Sequence, residues 1–457
     1  MIPDEKIAEI RERTDIVGLV GEHVRLKRAG ASFKGLCPFH SEKTPSFHVH
    51  PSRQFFHCFG CHTSGDVFSF LQQLEGRAFP EIARDLAERA GVELEVLDPK
   101  EEQRYRRERQ RIERLTSLMD AAAGFYVKQL REHPLGKMAR EELERRNITM
   151  ETAEAFRLGY APHGWDALLA FLRQGGWSPQ DAEEVGLIVP RRSGDGHYDR
   201  FRHRLLFPIT DVHGRIVAFS GRQLDPPPGV DESDQGPAKY VNSPEGPLYK
   251  KGEILFGLHE GRVTVRREGW VVVCEGNFDL VALHQAGFEN AVAPMGTALT
   301  ERHVKLLRRF AERVVLLFDG DSAGRRAVRE AHPLLQKAGL AAQVVVLPPG
   351  DDPDSFLRER GADALRERVD TAPGLVDFMI DDAASEAAGD AHAKAKGVEQ
   401  LGPVLAVVDN PVERRLYVER VAQRFGIADI EAVRQQLNRG YRQAKASERG
   451  PRKRPDP

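Results

Sequence analysis

Three uninterrupted apolar runs mark the middle of this 457-residue chain: Trp270–Val271–Val272–Val273–Cys274, Val314–Val315–Leu316–Leu317–Phe318 and Val344–Val345–Val346–Leu347. They are rich in β-branched residues and lack the alternation of a half-solvated strand, so each reads as a buried strand of a parallel sheet. Helical spacing recurs between them, over Leu280–Ala286, Glu301–Arg309 and Ala323–Lys337. This alternation predicts a β-α repeat. Upstream, residues 4–28 predict a helix and a strand. Ser46–His50 and Gln54–His57 predict a hairpin, which Phe68–Leu74 and Phe79–Ala90 cover as helices. Downstream, residues 371–440 return to helical periodicity, clearest from Ile427 to Leu437, and no internal repeat is evident.

The polar residues that follow the apolar runs carry the first chemical signal. The run at 270 is followed by Glu275–Gly276–Asn277–Phe278–Asp279, and the run at 314 by Asp319–Gly320–Asp321. The run at 344 leads to Asp351–Asp352–Pro353–Asp354. Carboxylates just past the C-terminal ends of neighbouring parallel strands converge in one crevice. They repel one another there unless cations bind, and hard oxygen ligands suit Mg²⁺ or Mn²⁺. Metals held this way serve phosphoryl-transfer chemistry.

A second constellation lies near the N-terminus, where Cys37–Pro38–Phe39–His40 and Cys58–Phe59–Gly60–Cys61 form a C-x₂-H…C-x₂-C set. Three sulfurs and one nitrogen suit tetrahedral zinc, and a full protein ligand set implies a structural site, one zinc per chain. Three of the four cysteines sit in this set; the fourth, Cys274, lies in an apolar run and reads as a small buried hydrophobe. His48, His50, His57 and His62 are nearby, and His57, beside Cys58, is the main competitor for ligation. Phe47, Phe56 and Lys43 are candidates for stacking on and pairing with a single strand; ribbon core is the equal alternative for the two phenylalanines.

Composition narrows the class. Apolar residues make up 40 % and charged residues 30 %, and no stretch approaches the roughly 18 apolar residues of a membrane span. The N-terminus lacks the apolar core of a signal peptide, so a cytoplasmic, non-membrane protein is expected. Four cysteines argue against a disulfide framework. The net charge of −2 requires any nucleic-acid binding to come from segregated basic faces. Such faces are present in Asp199–Ile209, Gly214–Arg222, Lys239–Pro244 and Tyr249–Gly252, where cations alternate with aromatics as a single-strand channel requires. No G-x-x-x-x-G-K-[ST] phosphate loop occurs: Gly136–Lys137 is followed by Met138.

The E-G-x-x-D, D-G-D and D-P-D segments resemble the Toprim domain of primases and topoisomerases. The C-x₂-H…C-x₂-C set, with the wording of Cys37–Phe47 and Phe56–Cys61, resembles the zinc-binding domain of bacterial DnaG-type DNA primases. The basic blocks and Gly159–Tyr160–Ala161–Pro162–x–Gly164–Trp165 resemble the primase polymerase core, so the resemblance covers most of residues 1–440. Two departures are Arg146–Asn147, where the family has Arg-Gly, and Asn277–Phe278, where an aromatic–aliphatic pair is commoner. Asn147 suits a left-handed backbone position.

The resemblance implies a multidomain α+β and α/β protein. Residues 1–98 form a zinc-binding ribbon domain and 99–114 a charged linker or solvated helix. Residues 115–260 form the mixed α/β basic part of an RNA polymerase core, and 261–370 a Toprim catalytic subdomain with a Rossmann-like parallel sheet. Residues 371–440 close the core as a helical subdomain, and 441–457 form a disordered basic tail. The implied activity is RNA primer synthesis from ribonucleoside triphosphates on single-stranded DNA. Asp279, Asp319, Asp321, Asp352 and Asp354 are implied ligands of two or more Mg²⁺ or Mn²⁺ ions. Glu275 is either the base for the attacking hydroxyl or a further ligand. Lys239, Asn242 and Lys251 are implied to contact triphosphate or template, and Arg146, Arg200, Arg202 and Arg222 strand phosphates. A monomer is expected. A replicative helicase is the family's partner, but its docking module is expected to be absent after residue 440. A Toprim-type nuclease or topoisomerase and a non-catalytic zinc protein binding single strands are the other classes. A topoisomerase would add a catalytic tyrosine in a separate large domain for which space is not expected here, and a non-catalytic zinc protein has no need of three acidic segments.

Overall fold

The computed structural model describes residues 2–40, 42, 44–61, 63–75, 77, 79–94, 99–191, 194–226, 238–296, 298–318, 322–387 and 389–448. Lys43, His62, residues 227–237, Asp319–Gly320–Asp321 and the tail from 449 lie outside the described residues. The chain divides into two compact units at Arg109–Gln110.

In the first unit the expected opening helix is two, Asp4–Arg13 and Ile16–Gly21. Asp15 separates them by capping the second, accepting hydrogen bonds from the N–H groups of Val17 and Gly18. Five antiparallel strands follow in chain order: Lys27–Ala29, Ser32–Gly35, Phe47–His50, Phe55–Cys58 and Ser64–Gly65. The central pairing sets Phe47 opposite Cys58 and Val49 opposite Phe56, which puts these four side chains on the buried face. Helices Val67–Glu75 and Phe79–Ala90 cover that face with Val67, Phe68, Phe70, Leu71, Ile82 and Leu86.

The charged run expected as a linker or solvated helix lies in a 34-residue helix, Pro99–Glu132. Its C-terminal half buries Leu115, Leu118, Met119, Ala122, Ala123 and Tyr126 at helical spacing. Arg114 fastens it bidentately to Asp181, at 2.6 and 3.0 Å.

The second unit contains two larger sheets. The antiparallel one runs Tyr240–Asn242, Ile216–Gln223, Arg204–Thr210 and Gly159–Ala161, and every side chain of Arg204–Thr210 is buried. The other runs Leu255–Phe256, Ala291–Pro294, Trp270–Val273, Arg313–Phe318 and Ala341–Val346. Its last four strands are parallel and the first is antiparallel. Helices Leu258–Glu268, Asn277–Gln285, Glu301–Leu307 and Ser322–Ala338 supply the crossovers. Both edges of this sheet are short or occupied. Leu255–Phe256 is two residues long, and on the far strand Gln343 bridges to Gly374 while Val344 N–H donates to the Pro373 carbonyl at 3.1 Å.

Beyond Pro353–Asp370 come helices Leu375–Glu386, Ala391–Gln400, Gly402–Ala406, Pro411–Phe425 and Ile430–Glu448. The last begins later than the periodicity suggests, because Gly426 at φ 64° ends the preceding helix and Asp429 accepts from the Glu431 N–H at 2.9 Å. Among the described residues no helix is long and apolar enough to cross a membrane.

Candidate metal centres and nucleic-acid interface

The two C-x₂ pairs meet in the first unit. The ligand atoms of Cys37, His40, Cys58 and Cys61 all lie within 4.8 Å of one another, and no other such cluster of His, Cys, Asp and Glu occurs among the described residues. Cys37 Sγ and Cys61 Sγ are 3.7 Å apart. Tetrahedral zinc with bonds of about 2.3 Å would set two sulfurs about 3.8 Å apart, so the donor set fits the ion. Burial would raise the Cys58 thiol pKa. A 3.2 Å contact with Ser46 Oγ and donation from the Cys61 and Gly60 N–H groups more than offset it, and the pKa is lowered. His40 Nδ1 faces Cys58 Sγ at 3.8 Å while its Nε2 lies 3.4 Å from Glu42. Glu42 also accepts from Cys37 N–H at 2.7 Å and Ser46 Oγ at 2.5 Å. It therefore orients the imidazole and pins the first knuckle, a role its place in the motif did not announce.

The competing histidines are engaged elsewhere. The rings of His48 and His57 lie edge-on to Phe59, at 5.0 and 4.7 Å, and His50 stacks on Phe55 at 4.9 Å. Phe47 and Phe56 stack on each other at 5.2 Å and are wholly buried, so they are ribbon core and unavailable to bases. Among the described residues of this unit Phe59 is an exposed aromatic, 60 % accessible.

In the second unit the parallel register puts the C-terminal ends of the strands on one edge. Val273 pairs with Leu316 and Phe318 with Val346, so Glu275 follows its strand at the level where Arg313–Phe318 and Ala341–Val346 end. Glu275 is exposed. Asp279 sits buried in the first turn of Asn277–Gln285. A Cβ at Gly276 would stand 2.3 Å from Asp279 Oδ2, so glycine makes the space into which that carboxylate folds. Asp279 Oδ1 accepts the Asp354 N–H at 3.2 Å, which joins the first acidic segment to the third. Asp352 caps Pro353–Asp370, accepting from Ser355 N–H at 2.7 Å. Asp354, 1 % exposed, pairs with Arg146 at 2.5 Å and Arg358 at 3.4 Å. Burial raises its pKa, and the two guanidiniums only partly oppose that. Glu275, Asp279 and Asp352 carry the hard oxygens a divalent cation takes, but among the described residues they do not gather within ligand distance of one another. Asp354 is already shared with arginine, and Asp319 and Asp321 lie outside the described residues.

Arg146 is thus turned onto carboxylates. Besides Asp354 it donates to Glu142 at 2.8 Å, and it lies 4.1 Å above the Phe278 ring. Asn147, at φ 55°, takes the left-handed position expected of it. Cys274 is fully buried. The other basic candidates divide. Arg200 donates to the Gly186 carbonyl at 2.8 Å, and burial lowers its pKa. Arg202 lies 3.8 Å above Trp165 and 5.3 Å from Tyr198. Arg222 lies 5.2 Å from Tyr240. Lys239 is exposed, and Lys251 is half-buried in a short 3₁₀ turn. Asn242 Oδ1 is buried without a hydrogen-bond partner.

Two aromatic residues were missed in the sequence, and the first of them stands between the basic wall and the acids. Tyr240 has its pKa raised by burial, and it lies within electrostatic reach of Arg222, Arg146 and Asp279 together. Trp165, 52 % exposed beneath Arg202, offers a face for a base. Tyr240 had a signal in the adjacent Lys239, whereas Trp165, between Gly164 and Asp166, meets Arg202 only in the fold. A further link is buried: the Asn277 amide donates to Ser220 Oγ at 2.8 Å, tying the acidic helix to strand Ile216–Gln223.

Comparison with known proteins places these parts. Residues 2–102 match the CHC2 zinc finger, 125–262 the N-terminal domain of the DNA primase catalytic core, and 272–357 a Toprim-like domain. Residues 376–429 match the DnaB-helicase binding domain of primase. The last match overturns the expectation that helicase docking is absent. Apolar periodicity is the same for helices that close a core and helices that dock a partner, and the short tail was a poor measure of what precedes it. The chain is similar to the DNA primase of Halalkalibacterium halodurans, 39 % identical over 447 residues, covering 97 % of this chain and 72 % of that protein. It is similar to that of Myxococcus xanthus, 41 % identical over 437 residues, covering 95 % and 70 %. Among solved structures, the zinc-binding and RNA polymerase domains of the Aquifex aeolicus primase align with TM-score 0.59 and 32 % identity, covering 94 % of this chain and 98 % of that one.

Proposed function

The chain belongs to the DNA primase family of DNA-dependent RNA polymerases, and from that premise we propose how its own residues divide the work of nucleotidyl transfer. The observation that carries the reading is the meeting of opposite charges. Past the ends of the parallel strands Arg146 pairs with Asp354, and Tyr240, beside Arg222 on the antiparallel sheet, lies within electrostatic reach of Arg146 and Asp279.

In this reading Glu275, Asp279, Asp319, Asp321 and Asp352 hold Mg²⁺ or Mn²⁺, with Asp354 as the buried anchor of the crevice. The metals would neutralise charge on the triphosphate and the leaving pyrophosphate. Glu275, exposed at the strand exit, ligates metal or takes the proton of the attacking 3′-hydroxyl. Lys239, Lys251 and Asn242 border the ribonucleoside triphosphate, and Arg222 and Arg200 meet strand phosphates. Trp165 beneath Arg202 stacks a template base and tracks the single-stranded DNA. Arg146 keeps Asp354 and Phe278 in place. The zinc ribbon, with Phe59 outward, positions template at initiation. The segment 376–429 docks on a DnaB-type helicase.

The test is incorporation of labelled ribonucleotide on a single-stranded template with Mg²⁺ or Mn²⁺. Glu275→Gln should abolish it while template affinity stays within twofold. Primer synthesis by that variant at near the unsubstituted rate would reject the assignment.

A further inference from the structure

Helix Leu258–Glu268 runs into strand Trp270–Val273, and Arg308–Arg309–Phe310 precede strand Arg313–Phe318. Both segments lie at the N-terminal edge of the parallel sheet. The N–H groups of Glu312 and Arg313 bind the Gly269 carbonyl there, at 2.9 and 3.3 Å. At about 3.3 Å per residue, the six-residue strand Arg313–Phe318 sets this edge roughly 20 Å from the acidic one.

Three cations crowd this edge. The Arg266 and Arg309 guanidiniums stand 4.6 and 6.0 Å from the centroid of one ring, Phe310. Arg262 lies one helical turn before Arg266 and donates to His259 Nδ1 at 2.8 Å. Among the described residues no carboxylate is within ion-pair distance of the three, and the nearby Glu268 is paired with Arg267. Arg266 and Arg309 are exposed and Arg262 is half-buried; desolvation lowers the Arg266 pKa, and the charges of Arg262 and Arg309 add to it. By contrast, Arg114, Arg146, Arg329 and Arg420 of this unit each have an acid partner.

We propose that Arg262, Arg266 and Arg309 form a second nucleic-acid site that holds the phosphates of a duplex on the edge of the sheet remote from the carboxylates. Like-charged guanidiniums left without acids are stabilised by an arriving anion, and Arg binds phosphate oxygens bidentately. A single strand calls for an exposed aromatic platform. Here Phe310 is buried under the two guanidiniums and Trp270 lies beneath Arg313 at 5.0 Å. A protein partner calls for an apolar anchor, and among the described residues the large apolar side chain exposed on this face is Val263, 45 % exposed. A duplex backbone needs cations alone. The site stands apart from the assignment of the carboxylates and is tested apart from it.

The experiment is a fluorescence-anisotropy titration of the whole chain with three labelled probes of equal length: a blunt RNA–DNA hybrid, a blunt DNA duplex and the single strand. It is repeated across a salt series. The Arg266→Ala/Arg309→Ala variant should bind duplex about tenfold more weakly, with a log–log salt slope shallower by about 1.8 for two lost phosphate contacts. Its single-strand affinity and its primer synthesis on saturating template should stay within twofold. Arg266→Lys/Arg309→Lys should recover most of the slope. Loss confined to the hybrid identifies the primer–template product as ligand, loss confined to the DNA duplex identifies parental DNA, and equal loss identifies the duplex backbone in general. An unchanged duplex affinity and slope, or an equal loss on the single strand, overturns the proposal. If the double alanine variant loses its fold, Arg309→Gln carries the test, because it leaves Arg266 over Phe310; the slope should fall by about 0.9.

Discussion

Removing the Arg146 guanidinium tests whether the crevice is held together by the ion pair between the end of helix Gly136–Arg145 and the start of helix Pro353–Asp370. Arg146 neutralises Asp354, which is 1 % exposed, and Glu142, which is buried, and it covers the Phe278 ring. Breaking a buried ion pair by deleting one partner costs about 3–5 kcal/mol. Arg358 remains 3.4 Å from Asp354 as a partial counter-charge, and Arg145 remains bonded to Glu142, which puts the expectation at the lower end, about 3 kcal/mol. Arg146→Met preserves bulk over Phe278 and isolates the charge. The pH dependence has a definite sign. The Asp354 pKa is already raised in the folded state, and loss of Arg146 raises it further. A raised carboxylate favours folding below its unfolded pKa, and this contribution is lost as pH rises through the folded value. The variant's deficit should therefore be largest at neutral pH and shrink in mild acid. Urea unfolding at two pH values measures this through tryptophan fluorescence, because Trp165, Trp177 and Trp270 all lie in the second unit. A deficit below about 1 kcal/mol, or one equal at both pH values, would refute the reasoning.

Glu42→Gln should weaken zinc affinity about 10- to 100-fold while leaving all four ligands in place, measured by competition with a chromogenic chelator; unchanged affinity would remove Glu42 from the site. Elemental analysis should find one zinc per chain, and Cys58→Ser/Cys61→Ser should lose it, along with the fold of the first unit. Trp165→Ala should lower single-strand affinity by about 1–3 kcal/mol with little change in salt slope, whereas Lys239→Ala should make the slope shallower by about 0.7. Equal behaviour of these two variants in a salt-series titration would contradict the division into stacking and phosphate contacts.

The zinc site was legible because its spacing is local: two tight turns bring four ligands together whatever surrounds them. The parallel strands were legible because continuous apolar runs have few other uses, and the acidic residues followed from their position at strand exits. Contacts between distant parts of the chain were not legible. Arg146 and Asp354 are 208 residues apart, and a cation in a basic polymerase motif reads as a phosphate ligand until its partner is seen. Arg204, set in an Arg-rich block, is buried and spends its guanidinium on the Gly221 and Ala238 carbonyls, and burial lowers its pKa to about 10. Phe47 and Phe56 looked equally suited to stacking or to core because alternation does not say which face of a hairpin is covered. The helices of 376–429 carry no local sign of what they dock on.

The margins of the parallel sheet bear on how this protein behaves at high concentration. A long bare outer strand is a template on which another chain can add, the first step toward fibrils. Here one margin is only two residues long, and the other is engaged by Pro373 and Gly374. Five consecutive strands of aliphatic sequence could then be concentrated without ordered aggregation, and loss of the Pro373–Gly374 turn would be the change that turns a stored solution cloudy.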